Sequence, residues 1–332
     1  MVQDLTLSLL ENERGIRKRR IEMKLRNKDL ISITDLTKEE ILGILRKTTE
    51  FKSREVTGKP LEGKTLAMIF EKPSTRTRVS FECAIYQLGG LPIVLNSTDI
   101  QLSRGETIAD TAKVLSGYVD GITLRTFAHS SVVELAKYAS IPVINALSDF
   151  EHPCQILADL QTILEKKGLD GTVTAFVGDG DNNVTNSLIL ACAIMDMPIN
   201  IGAPKGYQPQ KKVMDMAKAV NPKVKIFVTD DPKEAVKNAD VVYTDVWVSM
   251  GAEKEVEKRK KAFNAFQLNK ELLKNCKKKD YIVLHCLPAH RGDEITDDVM
   301  ESMNSVVFAQ AENRMHAQKS VLYYLMGGKN VD

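Results

Sequence analysis

The chain has 332 residues, of which 43% are apolar and 27% charged, and its formal net charge is +2. This composition is that of an ordinary globular protein, and the small net charge provides no overall attraction to nucleic acid or to a membrane surface. No apolar run is long enough to span a membrane and no signal peptide is visible, so we expect a cytoplasmic protein. The five cysteines are widely spaced without a CxxC pair, which favours free thiols.

Residues 1–22 differ in character from the rest of the chain. A basic run, formed by Arg14 and residues 17–20, is mixed with Glu11, Glu13 and Glu22, and the apolar content is weak. The mixture of signs argues against an organelle transit peptide. We interpret this segment as a loosely ordered extension or leader, with Met23 as a candidate native start.

The first half of the chain alternates between apolar runs and helical patterns. Thr37 and Glu40 form a capping box that predicts a helix start, and Thr107 begins another helical pattern. Four short apolar runs are predicted strands: Leu66–Phe70, Pro92–Leu95, Gly121–Arg125 and Pro142–Asn145. This alternation is typical of a parallel α/β layer.

A second α/β series follows the breaks at Gly168 and Gly171. Its predicted strands are Thr172–Val177, Ile199–Ile201, Lys225–Val228, Val241–Thr244, Tyr281–Leu284 and Ser305–Phe308. A last helix is predicted over Gln310–Met326. The sequence therefore predicts two parallel-sheet α/β domains joined by helices, with polar strand ends lining a crevice between them.

The first predicted strand leads into Ser74-Thr75-Arg76-Thr77-Arg78, at the start of a helix. Hydroxyl groups, free backbone N–H groups and guanidinium groups at a helix N-terminus are suited to phosphate. The simpler interpretation is that Ser74 caps the helix and both arginines are solvated. Because the whole string follows a buried strand, we favour a phosphate cradle, a name used below for residues 74–77. Arg125, at the end of a later strand, is a further candidate.

His152-Pro153-Cys154-Gln155 precedes another helix. A metal site is disfavoured because further ligands at useful spacing are missing, although a Cys–His nucleophile remains possible on composition. We favour His152 as a donor to a carbonyl oxygen and Gln155 as a partner for an amide. A capped helix start with a buried cysteine is the structural alternative.

Gly178-Asp179-Gly180-Asp181-Asn182-Asn183 superficially suggests a dinucleotide-binding turn. The third glycine is replaced by Asn183 and the loop is acidic, so we reject a nicotinamide cofactor. Asn183 at a helix start is better suited to an amino-acid carboxylate. Simple capping by the two asparagines is the alternative.

Asp245-Val246-Trp247-Val248-Ser249-Met250-Gly251 follows a strand, and Asp245 could pair with an α-ammonium group or cap a helix. The charged run 253–261 is predicted to be a solvated helical face. His285-Cys286-Leu287-Pro288 ends a buried strand, and a cis Leu287–Pro288 bond would direct carbonyl groups into a site. Cys286 as a reactive nucleophile remains open. Arg314, placed in the first turn of the last helix, is predicted to pair with an anionic ligand.

These motifs occur in the order found in ornithine carbamoyltransferases, which the body from about residue 30 to 326 resembles. The Ser-Met-Gly turn and the His-Cys-Leu-Pro string favour ornithine over aspartate as the acceptor. The resemblance implies binding of carbamoyl phosphate by Ser74, Thr75, Arg76, Thr77, Gln101, Arg125, His152, Gln155, Cys286, Leu287 and Arg314. It implies ornithine binding by Asn183, Asp245, Ser249 and Met250. Arg125, His152 and Cys286 are the expected catalytic residues, without a metal or cofactor.

The resemblance also implies a carbamoyl-phosphate-binding domain over residues 23–155, completed by 310–332, and an ornithine-binding domain over 156–309. A trimer, or a multiple of trimers, is expected, with Gln101 reaching the neighbouring subunit. Ala309 departs from the usual acidic residue and leaves the support of Arg314 open. Another acceptor amine, such as putrescine or N-acetylornithine, and a non-catalytic ligand-binding protein are the alternatives.

Overall fold

The computed structural model describes residue 25 and residues 28–54, 58–248 and 255–327. The chain divides into two compact units. Unit 1 comprises Met1–Gln161 and Glu312–Asp332, and unit 2 comprises Thr162–Ala311. Of the segments discussed above, residues 1–22 and the Ser249-Met250-Gly251 turn lie outside the described residues.

Unit 1 is built on a four-stranded parallel sheet with the order β2-β1-β3-β4. Its strands are β1 Thr65–Phe70, β2 Leu91–Asn96, β3 Gly121–Arg125 and β4 Val143–Leu147. Its helices are α1 Lys38–Lys52, α2 Arg76–Gln87, α3 Ile108–Ser116, α4 His129–Tyr138 and the start of α5 Pro153–Lys166. All four predicted strands are present: β1, β3 and β4 are largely buried, whereas the edge strand β2 is only partly covered.

Local sequence explains where several of these helices begin. The Thr37 side chain accepts a hydrogen bond from Glu40 N, and the Glu40 carboxylate accepts one from Thr37 N, so the predicted capping box is confirmed. Thr107 caps α3 in the same way by accepting from Asp110 N. Apolar residues of β1, β3, β4 and the helices α3 and α4 then form one buried core.

The register of the sheet places two predicted site segments at one edge. Phe70, the last residue of β1, pairs with Arg125, the last residue of β3, and Arg125 in turn pairs with Leu147 of β4. In a parallel sheet the carboxyl ends of all strands lie at the same edge. The segments that follow β1, β3 and β4 therefore emerge side by side.

Unit 2 contains a five-stranded parallel sheet with the order β7-β6-β5-β8-β9. Its strands are β5 Thr174–Val177, β6 Ile199–Gly202, β7 Ile226–Thr229, β8 Val241–Thr244 and β9 Ile282–His285. Its helices include α6 Asn183–Met195, α7 Lys211–Val220, α8 Pro232–Val236, α9 Val256–Phe263, α10 Lys270–Leu273 and α11 Asp297–Met300. Thr244 pairs with His285, which brings the ends of β8 and β9 together. The predicted class of two parallel-sheet α/β halves is confirmed.

The last part of the chain differs from the sequence prediction. Helix α12 spans Val307–Met326, so the predicted strand Ser305–Phe308 is wrong. Only a single bridge joins Ser305 to Val283 beside β9. A short apolar run is ambiguous between strand and helix, and here the helix begins inside it, at Val307. No helix among the described residues is long and apolar enough to cross a membrane.

Candidate active site

The cradle leads into the first turn of α2. Thr75 is the N-cap residue of α2 but makes no side-chain capping hydrogen bond, so the interpretation of this segment as a simple cap is not supported. Ser74, Thr75 and Arg76 make no side-chain hydrogen bonds within the part of the chain that the structure describes. The first backbone N–H groups of a helix have no partner within the helix, so this mouth is suited to an anion.

The two arginines of the motif have different environments. Arg78 is exposed, and its Nε donates to the Glu82 carboxylate at 2.9 Å, one helical turn along the surface. Arg76 is half-buried at the helix mouth. A surface ion pair of this kind contributes little to stability, and Arg78 belongs to the solvated face of the helix. The guanidinium group of the cradle is therefore that of Arg76.

Thr77 lies between two buried arginines. Its Oγ1 accepts from Arg125 Nη1 at 3.4 Å and from Arg314 Nη2 at 3.1 Å. Arg125 and Arg314 are only 6% and 4% exposed. Two guanidinium groups that share one neutral hydroxyl, far from bulk water, create a strongly positive position next to the cradle.

Arg314 has a second partner on another helix. Its Nη1 donates to Gln155 Oε1 at 2.5 Å, and Gln155 Nε2 donates to Asp159 Oδ1 at 2.8 Å. These two successive hydrogen bonds hold the planar guanidinium group of Arg314 in one orientation. The residue at position 309 is alanine, and Gln155 together with Thr77 supplies the support of Arg314 that the sequence left open.

The position of Arg314 within its helix corrects the sequence interpretation. Because α12 begins at Val307, Arg314 lies about two turns into the helix and not in its first turn. An effect of the helix dipole fades within the first turn and cannot explain a cation here. The contacts with Gln155 and Thr77 explain its position instead.

His152 immediately precedes α5 and is buried. Burial lowers the pKa of its imidazole well below the usual value, and the positive charges of Arg314 and Arg125 lower it further. The ring is therefore neutral at physiological pH and can donate one N–H without carrying a charge. This state matches the predicted role of His152 as a donor to a carbonyl oxygen.

Cys154, two residues further on, cannot serve as a nucleophile. It is buried, and burial raises the pKa of its thiol to about 12, so almost no thiolate is present near neutral pH. Its Sγ points to the Asn145 carbonyl oxygen at 3.6 Å. The alternative of a Cys–His nucleophilic pair is therefore excluded at this position.

Gln101 begins a short 3-10 turn, Gln101–Arg104, and is exposed. Of the residues predicted to bind carbamoyl phosphate in unit 1, Arg125 and Arg314 bind Thr77 of the cradle, Gln155 binds Arg314, and His152 is within electrostatic reach of both arginines. An exposed side chain on a surface turn is compatible with a contribution to a neighbouring subunit, which stays a prediction.

In unit 2, Asp245 and Cys286 follow the paired strands β8 and β9. Cys286 Sγ donates to Asp245 Oδ1 at 2.9 Å, and Val246 N donates to the same oxygen at 2.8 Å. Burial raises the pKa of the Asp245 carboxyl group, while His285 and the hydrogen bonds from Cys286 and Val246 oppose this increase. Asp245 Oδ2 has no hydrogen-bond partner among the described residues and can accept from a ligand.

His285 fixes the backbone after β9. Leu287 N donates to His285 Nδ1 at 2.9 Å, which leaves Nε2 as the protonated nitrogen that faces Glu294 Oε1 at 2.9 Å. The predicted cis bond between Leu287 and Pro288 is confirmed, and Leu287 has a φ of 58°. A leucine in the left-handed region costs about 1–2 kcal/mol, so the surrounding contacts impose this conformation.

Asp245, His285 and Cys286 are also the described residues with the grouping expected of a metal site, since their ligand atoms lie within 4.8 Å of one another. Both ring nitrogens of His285 are occupied by hydrogen bonds to Leu287 N and Glu294. Cys286 and Asp245 bind each other. Hydrogen bonding among the side chains accounts for the cluster, and we assign no metal to it.

The two asparagines at the start of α6, Asn182 and Asn183, occupy different positions in the helix N-terminus. Asn182 is the N-cap residue: its Oδ1 accepts from Thr185 N at 2.8 Å and its Nδ2 donates to the Asp179 carbonyl oxygen at 3.1 Å. Asn183 is the first residue of the helix. Capping therefore occupies Asn182, which agrees with the choice of Asn183 as the candidate ligand residue.

In the described part of the charged run, residues 255–261, the charged residue Arg259 is not solvated. Arg259, in α9, donates to Asp179 Oδ2 at 2.6 Å and to the Trp247 carbonyl oxygen at 2.8 Å. Its guanidinium carbon also lies 5.0 Å from the centre of the Tyr207 ring. The prediction of a solvated face is wrong for Arg259, because partners distant in sequence bury its side chain.

Several site side chains are held by hydrogen bonds to residues that the sequence analysis did not predict as part of the site. Asp159 binds Gln155, Glu294 binds His285, and Arg259 binds Asp179. For Asp159 the signal was its position one helical turn after Gln155. Neither Glu294 nor Arg259 had a comparable local signal, since their partners are brought to them by the fold.

Comparison with known families accounts for the whole body of the chain. Residues 28–165 match the family described as aspartate/ornithine carbamoyltransferase, carbamoyl-P binding domain. Residues 170–325 match aspartate/ornithine carbamoyltransferase, Asp/Orn binding domain. The chain belongs to the aspartate/ornithine carbamoyltransferase family.

Individual members of this carbamoyltransferase family are similar over nearly their full length. The ornithine carbamoyltransferase of Thermococcus kodakarensis is 56% identical over 315 residues, covering 93% of this chain and 99% of that protein. The protein of Pyrococcus furiosus named ornithine carbamoyltransferase, anabolic, is 55% identical over 312 residues, covering 92% and 98%.

Solved carbamoyltransferase structures have the same fold. The ornithine carbamoyltransferase from Pyrococcus furiosus aligns with a TM-score of 0.88 at 54% identity, covering 93% of this chain and 100% of that one. The anabolic ornithine carbamoyltransferase from Campylobacter jejuni aligns with a TM-score of 0.85 at 42% identity, covering 90% and 99%. The resemblance inferred from the motifs is thus confirmed at the level of the family.

Proposed function

We propose that this chain transfers the carbamoyl group of carbamoyl phosphate to the δ-amine of L-ornithine, which gives L-citrulline and phosphate. The observation that carries the proposal is the convergence of Thr77, Arg125, His152, Gln155 and Arg314 in unit 1. Membership of the carbamoyltransferase family and the names of its similar relatives support the choice of substrates.

The phosphate group is proposed to bind first, at the cradle. Ser74 and Thr75 offer hydroxyl groups, Arg76 offers a guanidinium group, and the start of α2 offers backbone N–H groups. Arg125 and Arg314 add the positive charge that a phosphate dianion requires. In this proposal, the anion also offsets the repulsion between the two buried guanidinium groups.

The carbonyl group is proposed to be polarised by Arg125, Thr77 and neutral His152. Each well-aimed donor to the tetrahedral oxyanion contributes on the order of 3 kcal/mol of transition-state stabilisation. Gln155 Oε1 already accepts from Arg314, and its second lone pair can accept from the carbamoyl NH₂ group. Cys286 and Leu287 remain predicted partners of the carbamoyl group.

Ornithine is proposed to bind through its α-ammonium group to Asp245 Oδ2 and through its carboxylate to Asn183. Ser249 and Met250, which lie outside the described residues, remain predicted ornithine ligands. The neutral δ-amine attacks the carbonyl carbon, the C–O bond to phosphate breaks, and the amine proton leaves with the phosphate. The residues position two substrates and need no covalent intermediate, metal or cofactor in this scheme.

We also propose a cytoplasmic homo-oligomer, a trimer or a multiple of trimers, to which Gln101 contributes across the interface. Large apolar side chains that are exposed in unit 1 support an interface on this unit; they include Val79, Tyr86, Leu91, Ile93, Tyr118 and Phe127. Monomeric proteins rarely leave a large apolar area in water. Light scattering of the purified protein measures the oligomeric state.

The decisive test is citrulline formation by wild-type protein and by Arg76→Ala, with Arg78→Ala as the matched control. Arg76→Ala should abolish turnover without unfolding the protein. Arg78→Ala should keep wild-type turnover, since its exposed pair with Glu82 contributes little. Equal turnover of the two variants would defeat the cradle assignment.

The acceptor is tested with a panel of ornithine, putrescine and N-acetylornithine. Only ornithine should saturate at low concentration, and Asp245→Ala should raise the ornithine requirement while carbamoyl-phosphate binding is kept. Saturation by another amine would reassign the acceptor. Binding of carbamoyl phosphate without any product would favour a non-catalytic protein.

A further inference from the structure

Unit 1 contains a polar cavity of about 350 Å³. We call it the basic cavity. Its walls come from the end of α1, the end of α2 and the middle of α12, and the lining residues are Phe51, Lys52, Arg54, Gly58, Gln87, Leu88, Glu312, Met315, His316 and Lys319. A volume of this size is in the range of small-molecule sites and exceeds the space that one phosphate group needs.

The basic cavity is separate from the cradle, although both use α2 and α12. On α12 the lining residues Glu312, His316 and Lys319 recur at intervals of four and three, which places them on one face of the helix. Arg314 is two residues from both Glu312 and His316, so it points to the other side, toward Gln155 and Thr77. A ligand in the basic cavity would therefore not occupy the proposed carbamoyl-phosphate position.

Charge in the basic cavity is mostly positive. Among the described residues that line it, Lys52, Arg54 and Lys319 are cations and Glu312 is acidic. The Glu312 carboxylate faces His316, with 3.7 Å between Oε1 and Nε2. These described lining residues thus carry a surplus of two positive charges when His316 is neutral.

Lys319 is the most informative residue of this set. It is only 7% exposed, yet it has no ion pair or hydrogen bond among the described residues. Burial lowers the pKa of its ammonium group; Cys83 opposes this effect, and the positive charge of Arg54 adds to it. An ammonium group removed from water without a partner is costly, and a bound anion between Lys319 and Arg54 would supply that partner.

His316 supplies a buried ring nitrogen, Nδ1, that has no hydrogen bond among the described residues. The residue is 7% exposed. Burial and the charges of Lys319 and Lys52 lower the pKa of the ring to about 4, against the opposing effect of Glu312. The ring lines the same cavity as Lys319, one of the two cations that would receive an anion.

We propose that the basic cavity is a binding site for a small dianion, a phosphate or dicarboxylate compound held between Lys319 and Arg54. The ammonium group supplies a point charge and the guanidinium group supplies planar paired donors, which both classes of anion can accept. His316 Nδ1 contacts the remainder of the ligand. This site is additional to the substrate positions proposed above.

The test uses calorimetric titration of four full-length proteins: wild type, Arg76→Ala, Lys319→Met, and the double variant. Inorganic phosphate and succinate are the two probes. Arg76→Ala weakens phosphate binding at the cradle, so its remaining binding event reports the basic cavity. We expect this event to weaken at least about tenfold in the double variant, because a charge-assisted contact is lost.

The probe that binds assigns the ligand to the phosphate or the dicarboxylate class. The proposal is overturned if Arg76→Ala binds neither probe, or if it titrates like the double variant. Failure of the cradle assignment is seen separately, as equal phosphate titrations of wild type and Arg76→Ala.

Two further variants keep the test independent of folding. Lys113→Met removes an exposed lysine of unit 1 whose side chain is 62% accessible, and it should bind the probes like wild type. Arg54→Asn removes the second cation while asparagine tolerates the positive φ of 63° at this position. Arg54→Asn should also weaken the binding event, and unchanged binding in a folded Arg54→Asn protein would contradict the proposed contact.

Discussion

Replacement of Arg314 by methionine separates activity from stability at the proposed carbamoyl-phosphate site. The change removes a buried guanidinium group that donates to Gln155 at 2.5 Å and to Thr77 at 3.1 Å, and it keeps most of the side-chain volume. If the group also faces the phosphate, its loss removes about 3–4 kcal/mol of transition-state stabilisation. We therefore expect kcat/KM for carbamoyl phosphate to fall about 10²–10³-fold.

The fold should tolerate Arg314→Met. Two hydrogen bonds to a charged donor are lost, but a buried cation close to Arg125 and His152 is removed as well. These effects oppose each other, since replacing a buried charge with an apolar group is often neutral. We expect Tm to change by less than about 4 °C.

A third readout comes from His152, whose pKa is lowered partly by Arg314. In Arg314→Met the pKa of His152 should rise toward its usual range, which histidine-selective NMR titration can follow. Arg314→Lys is the matched control, because it keeps the charge and loses the planar fork; its kcat/KM should lie between the other two. A folded Arg314→Met protein with wild-type kcat/KM and an unchanged His152 titration would refute this reasoning.

Three other predictions concern stability. Arg259→Met should lower the free energy of unfolding, measured with urea, by about 3 kcal/mol, because Asp179 is left buried without its cation. Adding Asp179→Asn should recover part of this loss. Full additivity of the two changes would contradict the prediction. Glu294→Gln should cost about 1.5–3 kcal/mol by weakening the buried hydrogen bond to His285, and an unchanged urea midpoint would disprove it. The pKa of His316 is lowered to about 4, so the unfolded chain takes up its proton first as the pH falls from about 6.5 to 4. That difference destabilises the native state by up to about 3 kcal/mol before solvent screening, and His316→Gln should reduce the acid destabilisation; parallel pH curves for the two proteins would oppose the assignment.

Much of the fold was predictable from local pattern. The strands β1, β3 and β8 coincide with apolar runs in the sequence, and the capping box at Thr37 fixed a helix start. Short-range signals of this kind work because burial and capping act within a few residues. The same reasoning failed at Ser305–Phe308, where three apolar residues lead into a helix that begins at Val307.

The candidate site, too, was predictable from the sequence only in part. The sequence by itself identified the phosphate-type helix start at Ser74–Thr77 and polar residues such as His152 and Asp245, because each follows a recognisable strand or precedes a helix. It could not show that Arg78 belongs to the surface while Arg76 faces the helix mouth. That distinction depends on which side of α2 is covered by the rest of unit 1.

Tertiary structure alone decided which groups share one environment. Thr77, Gln155 and Arg314 are separated by up to 237 positions in sequence, yet they are joined by hydrogen bonds. The buried partners of Arg259 and the unpaired ammonium group of Lys319 likewise appear only after folding. The physical reason is that local sequence fixes the conformation of a segment, whereas charge, desolvation and hydrogen bonding at a site depend on neighbours that only the packed chain brings together.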